Sequence, residues 1–322
     1  MTDIYKNCHC ERSEAIFIRL IVTPNCTIRH GFIGDLSLLL EYKLPNMKKL
    51  TLLLLLVSGL AVSQNLKIMS YNLRVDFGGD GENNWEFRRD FLSQQIAFYE
   101  PDFVGTQEGK LHQLQYIDST LVNYTFIGIS RDNSKTEGEF SAIFYNRKKF
   151  KLLKEATFWL SETPDIKSKG WDAAYERICT YGLFEDLKTK KQFYVFNTHL
   201  DHIGELARTN SAKLIVSRIK SINTKNLPVV FTGDFNSETN SDAYKEIAKY
   251  MNDAKNISKV KPFGPSGTFN NFEFHKPVTL LIDYIFTSKN NIEVLKHAVL
   301  SDSKDCKYPS DHLPVYAEIQ LK

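Results

Sequence analysis

Downstream of residue 64 the chain is punctuated by short runs that are apolar at nearly every position, among them Val229-Val230-Phe231, Phe193-Tyr194-Val195-Phe196 and Ile143-Phe144-Tyr145. A strand with apolar side chains on both faces must be covered on both faces, so the sheets here have to be sandwiched between other layers. The pattern predicts strands at Leu66–Leu73, Phe103–Thr106, Phe126–Ile129, Ser141–Tyr145, Tyr181–Glu185, Gln192–Asn197, Val229–Thr232, Leu281–Thr287 and Val315–Leu321. Helical spacing appears in Trp85–Tyr99, where Arg88, Phe91, Leu92, Gln95, Ile96 and Tyr99 form one stripe behind an Asn83 or Asn84 cap. It recurs in Glu205–Ile222, with Leu214, Ile215, Ile219 and Ile222 at three- and four-residue steps and Pro228 closing the zone. Strands and helices interleave without strict alternation, and several neighbouring strands are close enough for hairpins. The expected class is therefore α/β, a layered sandwich with mixed β-sheets rather than a purely parallel, doubly wound fold.

The front of the chain has a different character. Met47-Lys48-Lys49 precedes an apolar core, Leu50 to Val57, and a small-x-small site at Ala61-x-Ser63. That is the layout of a secretory signal, and the run is shorter than the ~20 residues that span a bilayer. Residues 47–63 are read as a signal peptide cleaved after Ser63, and 1–46 as an extension outside the native product. The expected product is exported, periplasmic or extracellular, monomeric and without a stable membrane anchor. Cys179 and Cys306 are the cysteines left in it. Residues 65–322 carry no linker-like or repetitive stretch and are read as one catalytic domain. The whole chain has a formal net charge of +3, and residues 1–64 hold 7 of its 41 Lys/Arg and 5 of its 38 Asp/Glu. The body is thus near neutral (34 against 33), too weak a charge to imply nucleic-acid binding by itself.

The chemistry sits where the strands end. Gln107-Glu108, Asn197-Thr198-His199, Gly233-Asp234-Phe235-Asn236 and Ser310-Asp311-His312 each adjoin a predicted strand, so their polar groups can meet at one sheet edge. In an extended chain Asp234 and Asn236 share a side while Phe235 points into packing. The pair suits orienting a water and bonding a phosphoryl oxygen. His199 has a candidate carboxylate partner in Glu139, and could donate to a phosphate oxygen or protonate a leaving group. Asp283 is a charge within the apolar segment Leu281–Phe286 and needs a buried partner, for which His312 is the candidate. So paired, His312 suits the role of base toward water. Asp201 and His202 are weaker candidates that shape the pocket. Glu108, Asn72 and Asp311 offer the hard oxygen atoms that Mg²⁺ prefers, with Mn²⁺ or Ca²⁺ as substitutes. Arg177 can neutralise transition-state charge. Nucleotide-binding loops, the Gly-x-Ser-x-Gly elbow and His-Glu-x-x-His are absent from the sequence.

Taken together these segments resemble the endonuclease/exonuclease/phosphatase superfamily, whose DNase-I-like fold implies a four-layered α/β sandwich of two packed mixed β-sheets flanked by helices. The resemblance implies that Glu108 is the main magnesium ligand with Asn72 and Asp311 nearby, and that Glu139–His199 and Asp283–His312 are carboxylate–histidine pairs. It also implies that Asp234 activates the water while Asn236 and Arg177 contact the phosphate. The runs Gly138–Tyr145 and Phe158–Ser161 are similar to a bacterial, often secreted branch. Leu281 stands where many relatives carry a basic residue, so the preferred ester can differ. The expected activity is hydrolysis of a phosphate ester, a phosphodiester first. The alternatives are a nuclease such as a 3′–5′ RNA exonuclease, a sphingomyelinase-like or small-molecule phosphatase, and a non-catalytic binding protein. Lys148, Lys149, Lys151 and the Lys188–Lys191 cluster would serve a nucleic acid, and Trp85, Trp171 or Tyr175 would stack on a base or sugar.

Overall fold

The computed structural model describes residues 65–134 and 136–322. The reading of residues 1–46 and the signal peptide at 47–63 therefore falls outside the described residues.

In chain order the strands are β1 (Asn65–Asn72), β2 (Phe103–Gln107), β3 (Tyr124–Ile127), β4 (Ile143–Asn146), β5 (Phe150–Trp159), β6 (Ile178–Asp186), β7 (Gln192–His199), β8 (Val229–Asp234), β9 (Met251–Asp253), β10 (Asp283–Ser288), β11 (Ile292–Val299) and β12 (Val315–Leu321). The helices are α1 (Trp85–Tyr99), α2 (Leu111–Thr120), α3 (Glu205–Ile222), α4 (Asp242–Ala248) and the single turn α5 (Ala254–Ile257). The strands form two six-stranded sheets, ordered β11-β12-β1-β2-β4-β3 and β5-β6-β7-β8-β10-β9. Each sheet is mixed: β1 and β2 run parallel in the first, β7 and β8 in the second, and their other neighbours are antiparallel.

Alternation along each strand sorts side chains into layers. Leu66 and Ile68 of β1 face Phe184, Phe193, Val195, Val230 and Ile285 of the other sheet. The intervening Met69 and Tyr71 face outward onto Leu92, Ile96, Leu114 and Ile117 of α1 and α2. On the far side Phe196, Phe231 and Tyr284 pack beneath Ile215 and Ile219 of α3 and Ile247 of α4. The result is helix, sheet, sheet, helix, as expected for strands apolar on both faces. Each fully buried side chain of this size contributes about 1.5–3 kcal/mol.

At one end the sheets are joined by polar contacts rather than by more apolar packing. Asn197 is fully buried. Its Nδ2 donates to the carbonyls of Thr106 (2.8 Å) and Ala142 (2.9 Å) in the facing sheet. Its Oδ1 accepts from Gln107 Nε2 at 2.7 Å and Thr232 Oγ1 at 3.0 Å. The sheets come so close here that a Cβ on Gly105 would lie 2.0 Å from Thr232 Oγ1 and 2.6 Å from Asn197 Oδ1. A glycine is required at that position.

Parallel β1/β2 and β7/β8 end at this same edge, and antiparallel β4, β6, β10 and β12 begin there. The turns holding Lys148–Lys149 and Lys188–Lys191 lie at the opposite edge, where β4 and β6 finish. Among the described residues no helix is long and apolar enough to cross a membrane. Cys179 is buried in β6, Cys306 is exposed, and both are free thiols.

Candidate active site

A cleft of about 670 Å³ opens at the edge where β1, β2, β7 and β8 end. Arg74, Glu108, Arg177, His199, Asp234, Asn236, Asp311 and His312 line it, so sequence-distant segments do converge.

Three tethers fix the loops around it. Ser310 Oγ donates to the Asn72 carbonyl at 2.7 Å, tying the loop before β12 to the end of β1. Arg88, a buried cation on the apolar stripe of α1, donates to the carbonyls of Leu73, Arg74 (2.8 Å) and Pro309 (3.2 Å). It clamps both sides of the cleft wall. Asn84 holds the N-cap position of α1, but its side chain accepts from the Asp80 amide (2.9 Å) and shapes the preceding loop instead. Glu108 itself is left-handed, with φ of 62°, a costly conformation for a residue other than Gly or Asn. The turn swings its carboxylate back over the strand ends.

Glu108 Oε1 accepts from Asn72 Nδ2 at 3.0 Å, and the same Nδ2 donates to Asp234 Oδ2 at 2.9 Å. Glu108 Oε2 accepts from the Val75 amide at 2.9 Å. Asn72 thus holds two carboxylates together, while its Oδ1 accepts from the Arg74 amide at 2.9 Å. That is a positioning geometry, where the sequence suggested a metal-ligating oxygen. Asp311 lies 3.6 Å from an Arg74 guanidinium nitrogen on the same wall. Donor atoms of Glu108, His199 and Asp234 fall within 4.8 Å of one another, as do those of Asp234, Asp283 and His312.

The Asp283–His312 pair forms as expected: Asp283 Oδ2 is 2.8 Å from His312 Nδ1. His312 Nε2 lies 3.8 Å from Asp234. Burial opposes its charge, yet the Asp283 and Asp234 carboxylates hold its pKa well above the usual histidine value. That environment favours the protonated ring of His312, so in this arrangement it is disposed to donate toward the cleft. Burial and the Asp283 charge push the Asp234 carboxyl up to about 7. Burial raises Glu108 too, but His312, Asn72, the Val75 amide and Arg74 outweigh it and keep its carboxyl below the ordinary value.

The expected Glu139–His199 pair is not formed. Arg131 takes the Glu139 carboxylate in a two-pronged bond, Nη1–Oε2 at 2.9 Å and Nη2–Oε1 at 2.7 Å. A guanidinium fork matches a carboxylate better than one imidazole nitrogen does, which is why it wins the contact. His199 Nε2 instead accepts from Asn236 Nδ2 at 2.9 Å, whose other bond to the Leu200 carbonyl (3.0 Å) sets the amide's orientation. With Nε2 accepting, the ring proton lies on Nδ1. Burial and the positive charges of Arg177 and Arg131 push His199 well below the usual value, so it is neutral. Arg177 Nε bonds Asp201 (3.2 Å) and its Nη2 meets His202 Nδ1 (3.0 Å), so those two weaker candidates fix a guanidinium. Sequence reading missed Arg131, Arg74 and Lys110, all of which line the cleft. Each sits in an irregular connection, where a lone cation carries no periodic signal.

Glu108, Asp234 and Asp311 line the cleft and Asp283 bonds His312 behind it, so four buried or half-buried carboxyls crowd this edge. Such crowding is relieved by a hard divalent cation, and the oxygen-rich donor set fits one.

A four-layered sandwich with a carboxylate–histidine cluster at one edge is the DNase-I-like class of fold. The chain belongs to the endonuclease/exonuclease/phosphatase family, whose profile matches residues 69–312. A solved member from Bacteroides thetaiotaomicron is 37% identical, with a TM-score of 0.78, and the match covers 81% of this chain and 99% of that one. A mannosyl-6-phosphatase from the same species is 39% identical, with a TM-score of 0.76 over 79% of this chain and 99% of its own. Among curated proteins, human Nocturnin is 22% identical over 292 residues, 80% of this chain and 65% of Nocturnin. The Candida albicans 3′–5′-exoribonuclease subunit Ccr4 is also 22% identical, covering 81% of this chain and 42% of Ccr4. The chain thus spans less than two thirds of the length of these curated relatives.

Proposed function

We propose that the chain is a divalent-metal-dependent phosphoesterase, with magnesium as its ion and a small soluble phosphate ester as its substrate. The observation that carries the reading is the cleft in which Glu108, Asp234 and His199 gather beside the Asp283–His312 pair and the Arg177 guanidinium. Glu108 would anchor the cation, with Asp311 on the same wall and water and substrate phosphate in the remaining positions. When bound, the ion supplies Lewis-acid stabilisation of the phosphoryl oxygens, worth several kcal/mol. The chain's own groups do the rest. Asp234 takes the proton of the attacking water, and Asn236 and Arg177 bind phosphoryl oxygens. His312, kept charged by Asp283, donates to the developing negative charge. His199 lies between Asn236 and Asp234 and keeps both aligned.

The placement of charge supports a small ester over a polynucleotide. Both lysine clusters lie at the sheet edge opposite the cleft, where they cannot line a groove leading into it. The 39%-identical mannosyl-6-phosphatase makes a hexose phosphate the first substrate to try. The direct test is release of p-nitrophenol from p-nitrophenyl phosphate and its bis ester, followed by phosphate release from hexose 6-phosphates and single-stranded RNA. Magnesium-dependent turnover that a chelator abolishes is expected, with the hexose phosphate above RNA. A purified, folded protein that cleaves none of these with any divalent ion would defeat the proposal.

Export belongs to the same proposal and rests on the Met47–Ser63 pattern. A native product whose N-terminal residue is Gln64 supports it; one that begins upstream of Met47 removes it.

A further inference from the structure

The contact that displaced the expected Glu139–His199 pair leads to a substrate preference. Arg131 is fixed at every level: its amide donates to the Glu139 carbonyl (2.9 Å), its carbonyl accepts from Trp159 Nε1 (2.8 Å), and Glu139 grips its fork. Its guanidinium carbon lies 4.9 Å over the Tyr175 ring, which stacks on His202, the partner of Arg177. Two guanidiniums are therefore locked into one wall. Between them, beside Glu108 and His199, is a recess of only about 10 Å³. Such a volume holds about one water-sized group.

We propose that Arg131, aimed by Glu139, is the specificity-determining residue that makes this cleft select phosphomonoesters, because it closes the recess where the second arm of a diester would go. The proposal rests on the reading that the cleft binds and hydrolyses phosphate esters. A monoester dianion presents three terminal oxygens, whereas in a diester a carbon-bearing arm replaces one of them. The recess is water-sized, and the Arg131 and Arg177 guanidiniums line it together with Glu108, Glu139 and His199, so it admits a single oxygen that can bond to a guanidinium edge. It has no room for an alkyl or sugar arm. The phosphodiester favoured by the sequence would thus be the poorer substrate.

The test compares native protein, Arg131→Ala and Arg131→Lys, each checked for folding by thermal melting. Binding of inorganic phosphate and of dimethyl phosphate is measured by calorimetry, and kcat/KM is measured on p-nitrophenyl phosphate and its bis ester. Native protein should bind phosphate at least about tenfold more tightly than dimethyl phosphate. Arg131→Ala should weaken phosphate binding by about 10- to 100-fold, the range of a charge-assisted hydrogen bond, and weaken dimethyl phosphate much less. The monoester-to-diester ratio of kcat/KM should fall in step, and Arg131→Lys should fall in between. Equal losses on both probes, no loss, or a native preference for the diester would overturn the assignment. Selective binding without turnover would retire the hydrolytic reading alone. Turnover without selectivity would retire the Arg131 assignment alone.

Discussion

Replacing Asn197 by Ala removes the polar rivet between the sheets. The side chain makes four hydrogen bonds, to the Thr106 and Ala142 carbonyls and from Gln107 and Thr232. A typical buried bond contributes about 1 kcal/mol net, which sets a first figure of about 4 kcal/mol. Some partners keep other contacts: Thr232 Oγ1 still reaches the Phe196 carbonyl at 3.2 Å, and Gln107 Nε2 the Gly105 carbonyl at 3.2 Å. The expected loss is therefore about 3–4 kcal/mol, a large share of the ~5–15 kcal/mol of a natural domain. For a domain of this size that lowers Tm by about 6–16 °C. Urea denaturation should show a lower midpoint with an unchanged slope, because the surface exposed on unfolding is the same. Catalysis should suffer as well, since Gln107 precedes Glu108 and Thr232 lies two residues before Asp234. A loss below about 1 kcal/mol would refute the idea that this residue sets how the two sheets meet beneath the cleft.

Asp283→Asn keeps the shape of the His312 contact but removes its charge, so kcat/KM should fall by about 10²–10⁴ in protein confirmed to be folded; near-native turnover would contradict the role given to the pair. Glu108→Gln should raise the magnesium concentration needed for half-maximal turnover at least about tenfold, read from a metal titration, and an unchanged requirement would place the ion elsewhere. His297, buried in β11, has its pKa pulled down to about 4 by burial and by Lys255. Its folded pKa lies below its unfolded value of about 6.5, so the unfolded state binds the proton first and stability falls as pH drops from about 6.5 to 4. The full loss is about 3 kcal/mol below that window, at about 1.4 kcal/mol per pKa unit. His297→Leu should flatten this limb in urea melts at pH 7.5 and 4.5, and an unaltered slope would assign the acid sensitivity to other groups.

The elements that carry the core were legible because burial imposes a pattern. Trp85–Tyr99 and Glu205–Ile222 are helices over the residues read from their spacing, and all nine predicted strands exist, Val315–Leu321 with the bounds read and the other eight with shifted ends. Phe126–Ile129 moved to Tyr124–Ile127 because Gly128 turns the chain with φ of 122°. The strands that were missed had little pattern to show. β5 exposes most of its middle at the sheet margin, β11 occupies the margin of the other sheet, and β9 is three residues long. α2 starts at Leu111 without a Ser, Thr, Asp or Asn before it, so no start signal marked it. The site divides along the same line. Glu108, His199, Asp234, Asp283 and His312 sit at strand ends, where topology alone brings them together. Arg131 lies in a connection whose path no periodicity reports, and its claim on Glu139 was invisible for that reason. The Asp283 partner of His312 was legible in the sequence, but the second carboxylate beside it, Asp234, comes from another strand and was not.

The central claim is that the strand ends assemble one cation site facing a phosphate. Crystals soaked in Mn²⁺ and inorganic phosphate, measured for anomalous scattering, test it directly. The account predicts a manganese peak bonded to a Glu108 carboxylate oxygen, with phosphate against Arg177 and Asn236. A peak remote from Glu108, or none in the cleft at saturating Mn²⁺, would contradict it.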